Sequence, residues 1–159
     1  METTRHFVAT VYVVHDDSVA LHEHDKLEMW LPAGGHIDRD ELPHEAALRE
    51  TREELGLDVA LVAPQESIAS ETVESIPQPQ HFLLEDINVH ENGDVGHQHI
   101  DFIFYGGATT REIDPEPGEQ PADDWTWFSA TELRENEEIP ADVVEIGQRA
   151  IEAVGNRRP

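Results

Sequence analysis

The chain has 159 residues, a length typical of one domain, and its 35 acidic residues against 10 basic ones give a formal net charge of −25. This charge excludes a nucleic-acid-binding protein that works through a basic patch, and it argues against a polybasic contact with anionic lipid. The chain contains no cysteine, so disulfides, thiolate metal sites and cysteine nucleophiles are excluded.

The hydropathy pattern gives no sign of a membrane protein. The longest apolar stretch, Phe7–Val14, is far shorter than the roughly 20 residues that cross a bilayer, and the N-terminal sequence lacks a signal-peptide pattern. We therefore expect a cytoplasmic protein with one domain over residues 1–159. A surface this acidic repels itself in dilute buffer and is screened at molar salt, which predicts a halophilic source.

The first part of the chain is predicted to form a β-hairpin. Phe7–Val14 and Val19–Leu21 are apolar runs, and the residues between them, His15–Ser18, have the composition of a turn. The pair Gly34–Gly35 follows, where the backbone must bend or approach another group closely.

A helix is predicted over Pro43–Leu55. The segment has no internal glycine or proline, Pro43 suits the first helical turn, and Gly56 stands where a glycine commonly ends a helix. Its apolar positions fall on one face at helical spacing: Ala47, Leu48, Thr51 and Leu55.

The second half of the chain combines further strands with a closing helix. The predicted strands are Val59–Val62, His81–Val89, His99–Tyr105 and Trp125–Phe128. A turn is expected at residues 91–94 and a surface loop at 113–123, Ser129 or Thr131 can cap a short helix, and Ala141–Val154 is predicted to be an amphipathic helix. This order predicts an α/β protein, with one mixed, largely antiparallel sheet between helices in an α/β/α sandwich.

Three carboxylates share one face of the predicted central helix. Glu50, Glu53 and Glu54 span only about 100° of its circumference, where like charges destabilise a helix by a few tenths of a kcal/mol per pair. A divalent cation such as Mg²⁺ or Mn²⁺ would compensate, since these ions prefer carboxylate and carbonyl oxygens. The alternative for so acidic a chain is a solvated acidic face.

The spacing around these carboxylates favours the metal site. Residues 35–57 follow the order G-x5-E-x7-R-E-U-x-E-E-x-G-U, where U is a bulky aliphatic residue, and this resembles the signature of the Nudix hydrolases. Thr51 stands where the family prefers Ile, Leu or Val, and Asp40 stands where many members have glycine. Residues 31–35, 127–129 and 132–133 also resemble the usual flanks of the signature.

The resemblance implies hydrolysis of a nucleoside diphosphate linked to another moiety, with Mg²⁺ or Mn²⁺ as cofactor and a Nudix-type fold. By motif match, the metal ligands would be Glu50, Glu53, Glu54 and the Gly34 carbonyl, with Glu53, Glu54 and Arg49 also counted as catalytic. The partner would be a small-molecule nucleoside diphosphate derivative, and a homodimer is possible. The alternative function is a non-catalytic nucleotide-binding or sensor module on the same fold.

Two further roles follow from the resemblance. Arg49 would pair with Glu41 or with a ligand carboxylate and so orient the metal ligands, the alternative being an exposed salt bridge of little energetic value. Family members often take the general base from a loop before the last strand, where Glu119 is the first candidate. Glu112 and Glu116 compete with it.

Polar residues of a predicted strand are candidates for substrate binding. His97, His99 and Asp101 alternate along one face beside the expected cleft, where His99 and Asp101 could orient a substrate. The alternative is that they are buried, satisfied polar groups. The pairs His22/His24 and His97/His99 also lie at strand spacing, but two histidines alone are weak grounds for a metal site.

Overall fold

The computed structural model describes residues 2–24 and 29–156, which form eight strands and three α-helices around one sheet. The strands are β1 (Thr4–His15), β2 (Ser18–His24), β3 (Met29–Leu31), β4 (Ala33–His36), β5 (Val59–Leu61), β6 (His81–Val89), β7 (Val95–Ala108) and β8 (Trp125–Ser129). The helices are α1 (Pro43–Leu55), α2 (Ala130–Glu135) and α3 (Ala141–Gly155).

The sheet is mixed and largely antiparallel, as predicted. Its strand order is β3-β2-β1-β7-β5, with β4 also paired to β1, β6 to β7 and β8 to β2. Among the described strand pairings only β1 with β7 is parallel. These two long strands carry the centre of the sheet, because the other strands are attached to them or to β2.

Apolar side chains cover both faces of the sheet and hold a helical layer on each. On one face Tyr12 and Ile103 belong to the core that includes Val143 and Ala150 of α3. The residues that point the other way belong to the core against α1: Ala9, Val11, Val13 and Phe104 of the sheet, with Ala46, Ala47 and Leu55 of the helix. The predicted α/β/α sandwich is therefore confirmed.

Helix α1 has the predicted bounds. Gly56 ends it in the left-handed conformation at φ +66°, and its N–H donates to the Arg52 carbonyl at 2.9 Å. A side chain at Gly56 would overlap the Asp114 carbonyl, so glycine is required both by the backbone angle and by the neighbouring loop. Thr51 is fully buried and donates its hydroxyl to the Ala47 carbonyl at 2.8 Å, so the helix itself satisfies this polar core residue.

For the glycine pair, the sequence left open a bend or a close approach and gave no strand. Gly34 and Gly35 do not form a bend but lie inside β4, where they pair with Thr10 and Ala9 of β1. The expected close approach is present, because a Cβ at Gly34 would lie 2.7 Å from the Ala9 carbonyl oxygen. The segment is a strand only by virtue of its partner, which no local pattern reveals.

Other differences concern the ends of elements. The first strand begins at Thr4, where it pairs with His97, and the strand predicted to begin at His99 begins at Val95, where it pairs with Val89 of β6. Ser129 rather than Thr131 caps α2, accepting a hydrogen bond from the Glu132 N–H at 3.2 Å. No helix in the described part of the chain is long and apolar enough to cross a membrane.

Candidate active site

The carboxylate face of α1 lies against β4, and the two glycines of that strand allow the approach. The Gly34 N–H donates to the Glu54 carboxylate at 3.1 Å. A side chain at Gly35 would overlap the carboxylate of Glu50, so only glycine leaves room for it. The predicted residues Gly34, Glu50 and Glu54 are thus brought together by the packing of one helix on one strand.

Arg49 joins the carboxylates of this site into one network. Its Nε and Nη2 donate to Glu41 at 2.7 and 2.9 Å, and its Nη1 donates to Glu50 at 2.9 Å and to Glu53 at 3.2 Å. Nη2 also donates to the His36 carbonyl at 3.0 Å. The sequence left open whether Arg49 pairs with Glu41 or with a proposed ligand. The structure has both contacts, and Arg49 therefore fixes the orientation of three carboxylates.

The carboxylates repel one another in a partly desolvated place. Burial raises the pKa of Glu54 to about 8, the Gly34 N–H opposes this rise, and the charges of Glu50, Glu119 and Glu53 add to it. Burial also raises the pKa of Glu50, while the hydrogen bond from Arg49 lowers it. Crowded anions of this kind are stabilised by a cation.

The donor set fits a hard divalent cation. The oxygens available are the carboxylates of the helix face together with the backbone of β4, and Mg²⁺ and Mn²⁺ prefer such oxygens. Within residues 2–24 and 29–156, no three His, Cys, Asp or Glu side chains are already placed to hold a metal ion. Binding would therefore require Glu50 or Glu53 to turn partly away from the Arg49 guanidinium that both now contact.

The loop between β7 and β8 brings Glu119 near the same carboxylates. The Glu116 N–H donates to the Glu53 carbonyl at 2.8 Å, which attaches this loop to α1. The negative charge of Glu119 contributes to the raised pKa of both Glu50 and Glu54, so its carboxylate lies within electrostatic range of them. Of the three candidate bases, Glu119 is the one whose charge acts on these two carboxylates, and the contact of Glu116 is through its backbone.

A cavity of about 700 Å³ extends from Glu54 across the sheet toward the start of α3. Both predicted substrate residues, His99 and Asp101, line it. Asp101 is only 2% exposed, the Thr10 hydroxyl donates to its Oδ2 at 2.9 Å, and its carboxyl shares a hydrogen bond with the Glu85 carboxyl.

Burial changes the protonation of the two residues. Burial, together with the neighbouring Glu85 carboxyl on β6, raises the pKa of Asp101 to about 9. Burial, together with three neighbouring histidines, lowers the pKa of His99 to about 4. Near neutral pH, Asp101 is therefore protonated and can donate a hydrogen bond, while His99 is uncharged.

Sequence reasoning missed two groups at this site. Glu85 was placed on a predicted strand, but its position opposite His99 depends on the register of β6 on β7. His6 and His36 lie beside His97 and His99, although they are distant from them in sequence. The only sequence signal for this group of polar side chains is the alternation of polar residues along β6 and β7.

Comparisons with known proteins agree with this site. The NUDIX domain family profile matches residues 4–148, and the chain belongs to the Nudix family. A hydrolase of the NUDIX family from Clostridium perfringens is 33% identical, with a TM-score of 0.80, and the match covers 95% of this chain and 99% of that one. The protein is a Nudix hydrolase, an enzyme of a family that generally uses divalent metals and acts on small nucleoside diphosphate derivatives.

More distant solved structures share the fold. A MutT protein from Bacillus halodurans is 20% identical, with a TM-score of 0.62, and the match covers 92% of this chain and 82% of that one. An Ap4A hydrolase from C. elegans is 15% identical, with a TM-score of 0.55, and the match covers 96% and 98%. No curated protein sequence matches the chain significantly.

Proposed function

We propose that this enzyme hydrolyses the pyrophosphate bond of a nucleoside diphosphate linked to another moiety, with Mg²⁺ or Mn²⁺ as cofactor. The observation that carries the proposal is the position of Glu54, which belongs both to the carboxylate cluster of α1 and to the wall of the large cavity. A substrate in the cavity would therefore meet the carboxylates at one end.

Each residue of the cluster has a role in this proposal. Glu50, Glu53, Glu54 and the Gly34 carbonyl would hold the cation, which neutralises charge on the diphosphate oxygens. Arg49 would keep these ligands in place through the hydrogen bonds already described. Glu119 would accept the proton of the attacking water, because its loop attaches to α1 and its charge acts on the cluster.

Substrate recognition is assigned to the other end of the cavity. Asp101 and Glu85 together offer an uncharged carboxyl at Asp101, whose oxygens can accept hydrogen bonds, and neutral His99 offers one donor and one acceptor on its imidazole. Both would bind uncharged polar groups of the substrate rather than phosphate. The MutT and Ap4A hydrolase neighbours are too dissimilar in sequence to choose a substrate, so nucleoside triphosphates, nucleotide sugars and dinucleoside polyphosphates are all candidates.

The first experiment is a substrate panel measured in molar KCl with Mg²⁺, with Mn²⁺ and with EDTA. Phosphate release is followed with phosphatase coupling for phosphomonoester products. We expect hydrolysis of one substrate class that EDTA abolishes. Metal binding without turnover of any member of the panel would favour the alternative, a nucleotide-binding or sensor module.

Two substitutions test the assigned residues. Glu53→Gln should abolish turnover without changing the melting temperature, whereas Glu152→Gln, a matched change at an exposed position of α3, should leave kcat unchanged. Glu119→Gln should lower kcat by about 10²–10⁴-fold. Glu112→Gln is its control, and equal rates in the two variants would remove Glu119 as the base.

The homodimer stays a prediction from the sequence. Multi-angle light scattering after size exclusion in molar KCl measures the mass directly. A mass of about twice that of one chain would support it, and a monomer mass would exclude it.

A further inference from the structure

Four histidines form a closed cluster at one edge of the cavity. Neighbouring imidazole centres are 5.3 Å apart for His6 and His36, 5.4 Å for His36 and His99, 5.0 Å for His99 and His97, and 4.6 Å for His97 and His6. Each ring meets the next edge to face. These four residues are called the four-histidine cluster below.

The backbone of three strands fixes the cluster. His6 is the register partner of His99 in the parallel pairing of β1 with β7, and His36 lies at the end of β4 opposite Val8 of β1. His97 is on the same face of β7 as His99, two residues away. Because the sheet sets these positions, the four Cα atoms keep their spacing even when the side chains rotate.

The cluster is accessible to ions on a strongly anionic protein. His6 and His36 are exposed, so an ion from solvent can reach the cluster. The net charge of −25 raises the concentration of cations at the surface.

The spacing matches that of imidazoles around one ion. A metal–nitrogen bond of about 2.0–2.1 Å places the ion roughly 3.2 Å from a ring centre, so adjacent ring centres lie about 4.5–5.2 Å apart for square to tetrahedral geometries. The distances from His97 to His6 and His99, 4.6 and 5.0 Å, lie in this range, and the distances from His36 to His6 and His99, 5.3 and 5.4 Å, are slightly longer.

The present orientation of the rings is the remaining obstacle. As they stand, no three side chains of the described residues are placed to hold a metal ion. Rotation of a histidine ring about its Cβ–Cγ bond is a broad, low-energy motion. Nitrogens can therefore turn inward without any change in the sheet.

We propose that the four-histidine cluster is a binding site for a transition-metal ion that prefers imidazole ligands, such as Zn²⁺, Co²⁺, Ni²⁺ or Cu²⁺. It differs from the carboxylate cluster of α1, whose oxygen donors suit Mg²⁺ or Mn²⁺. Its four ligands come from β1, β4 and β7, so a bound ion would also link these strands.

The test is a titration of the protein with Co²⁺ in molar KCl and excess Mg²⁺, which occupies oxygen sites. Co²⁺ bound by several imidazoles is detected by its visible absorption. We expect one equivalent to bind, and we expect His6→Asn and His97→Asn each to weaken binding at least tenfold. His90→Asn, the same change at an exposed histidine outside the cluster, should bind as the unmodified protein does.

A second measurement does not depend on variants. Zn²⁺ is added to the unmodified protein in excess Mg²⁺, and the ring signals of its 10 histidines are followed by NMR. We expect four of them to shift together at one equivalent. Absence of saturable Co²⁺ binding, equal binding by His97→Asn and His90→Asn, or Zn²⁺ shifts confined to other histidines would each overturn the proposal.

Discussion

Replacing Asp101 by asparagine should change how the stability of this enzyme depends on pH. Asp101 is buried in the cavity wall, where the groups facing it are the Thr10 hydroxyl on β1 and Glu85 on β6, with Asp142 of α3 acting on Glu85. The pKa of Asp101 is raised from 3.8 to about 9 by burial and by the Glu85 carboxyl. Asparagine has nearly the same shape, keeps an oxygen that accepts from Thr10, and does not ionise.

The magnitude follows from proton linkage. Because the pKa is higher in the folded state, the folded protein holds one more proton than the unfolded chain between pH about 4 and 9. Its free energy of unfolding therefore falls by about 1.4 kcal/mol per pH unit in that window. The stabilising effect is fully present below the unfolded pKa and is lost as pH rises through the folded one. Between two pH values that are three units apart, this loss of unfolding free energy is about 4 kcal/mol. Asp101→Asn removes the loss because asparagine does not ionise.

The assay is urea unfolding at constant molar KCl between pH 5.5 and 8.5. The free energy of unfolding of Asp101→Asn, minus that of the unmodified protein, should increase by about 1.4 kcal/mol per pH unit. Asp123→Asn removes the same charge at an exposed position and should give a difference that does not change with pH. If the Asp101→Asn and unmodified proteins lose stability in parallel as pH rises, Asp101 does not hold a proton in the folded state.

Three further predictions concern salt and the glycines. The protein should lose its cooperative thermal transition on dialysis into low salt and regain it near molar KCl, because screening relieves a charge of −25; a melting temperature independent of KCl would contradict this. Gly35→Ala should reduce kcat at least tenfold with little change in melting temperature, because the new methyl group displaces the Glu50 carboxylate, and steady-state kinetics with calorimetry measure both. Gly56→Ala should lower the free energy of unfolding by about 1–3 kcal/mol, since it strains a left-handed residue and overlaps Asp114, whereas an unchanged urea midpoint would show that the loop moves freely.

Local sequence signals predicted the elements that are stabilised locally. The bounds of α1 follow from Pro43 and Gly56, which act through their own backbone geometry, and the structure has the same bounds. Strand β4 could not be predicted in this way, because Gly34 and Gly35 have low strand propensity and are extended only through pairing with β1. The early starts of β1 and β7 have the same kind of cause, since β1 continues as far as it pairs with β7, and β7 as far as it pairs with β6.

The same distinction applies to the site. The carboxylates of α1 could be grouped from sequence because helical spacing places them on one face without reference to the rest of the fold. The positions of Glu85 and of the four-histidine cluster could not be predicted in this way. They depend on the register of β1, β4, β6 and β7, and register is a property of the sheet as a whole. Asp101 was named from strand alternation alone, but its raised pKa arises from burial and from the neighbouring Glu85, which only the packed structure defines.

The charges around the cavity indicate how so acidic an enzyme can accept an anionic substrate. None of the described residues that line the cavity is lysine or arginine, and Arg49 is already engaged by Glu41, Glu50 and Glu53. In the proposed function, bound cations supply positive charge for a diphosphate. At the far end of the cavity, protonation of Asp101 removes a negative charge that would repel an anionic substrate. An enzyme built this way should lose substrate affinity as pH rises toward 9, even where its metal site remains loaded.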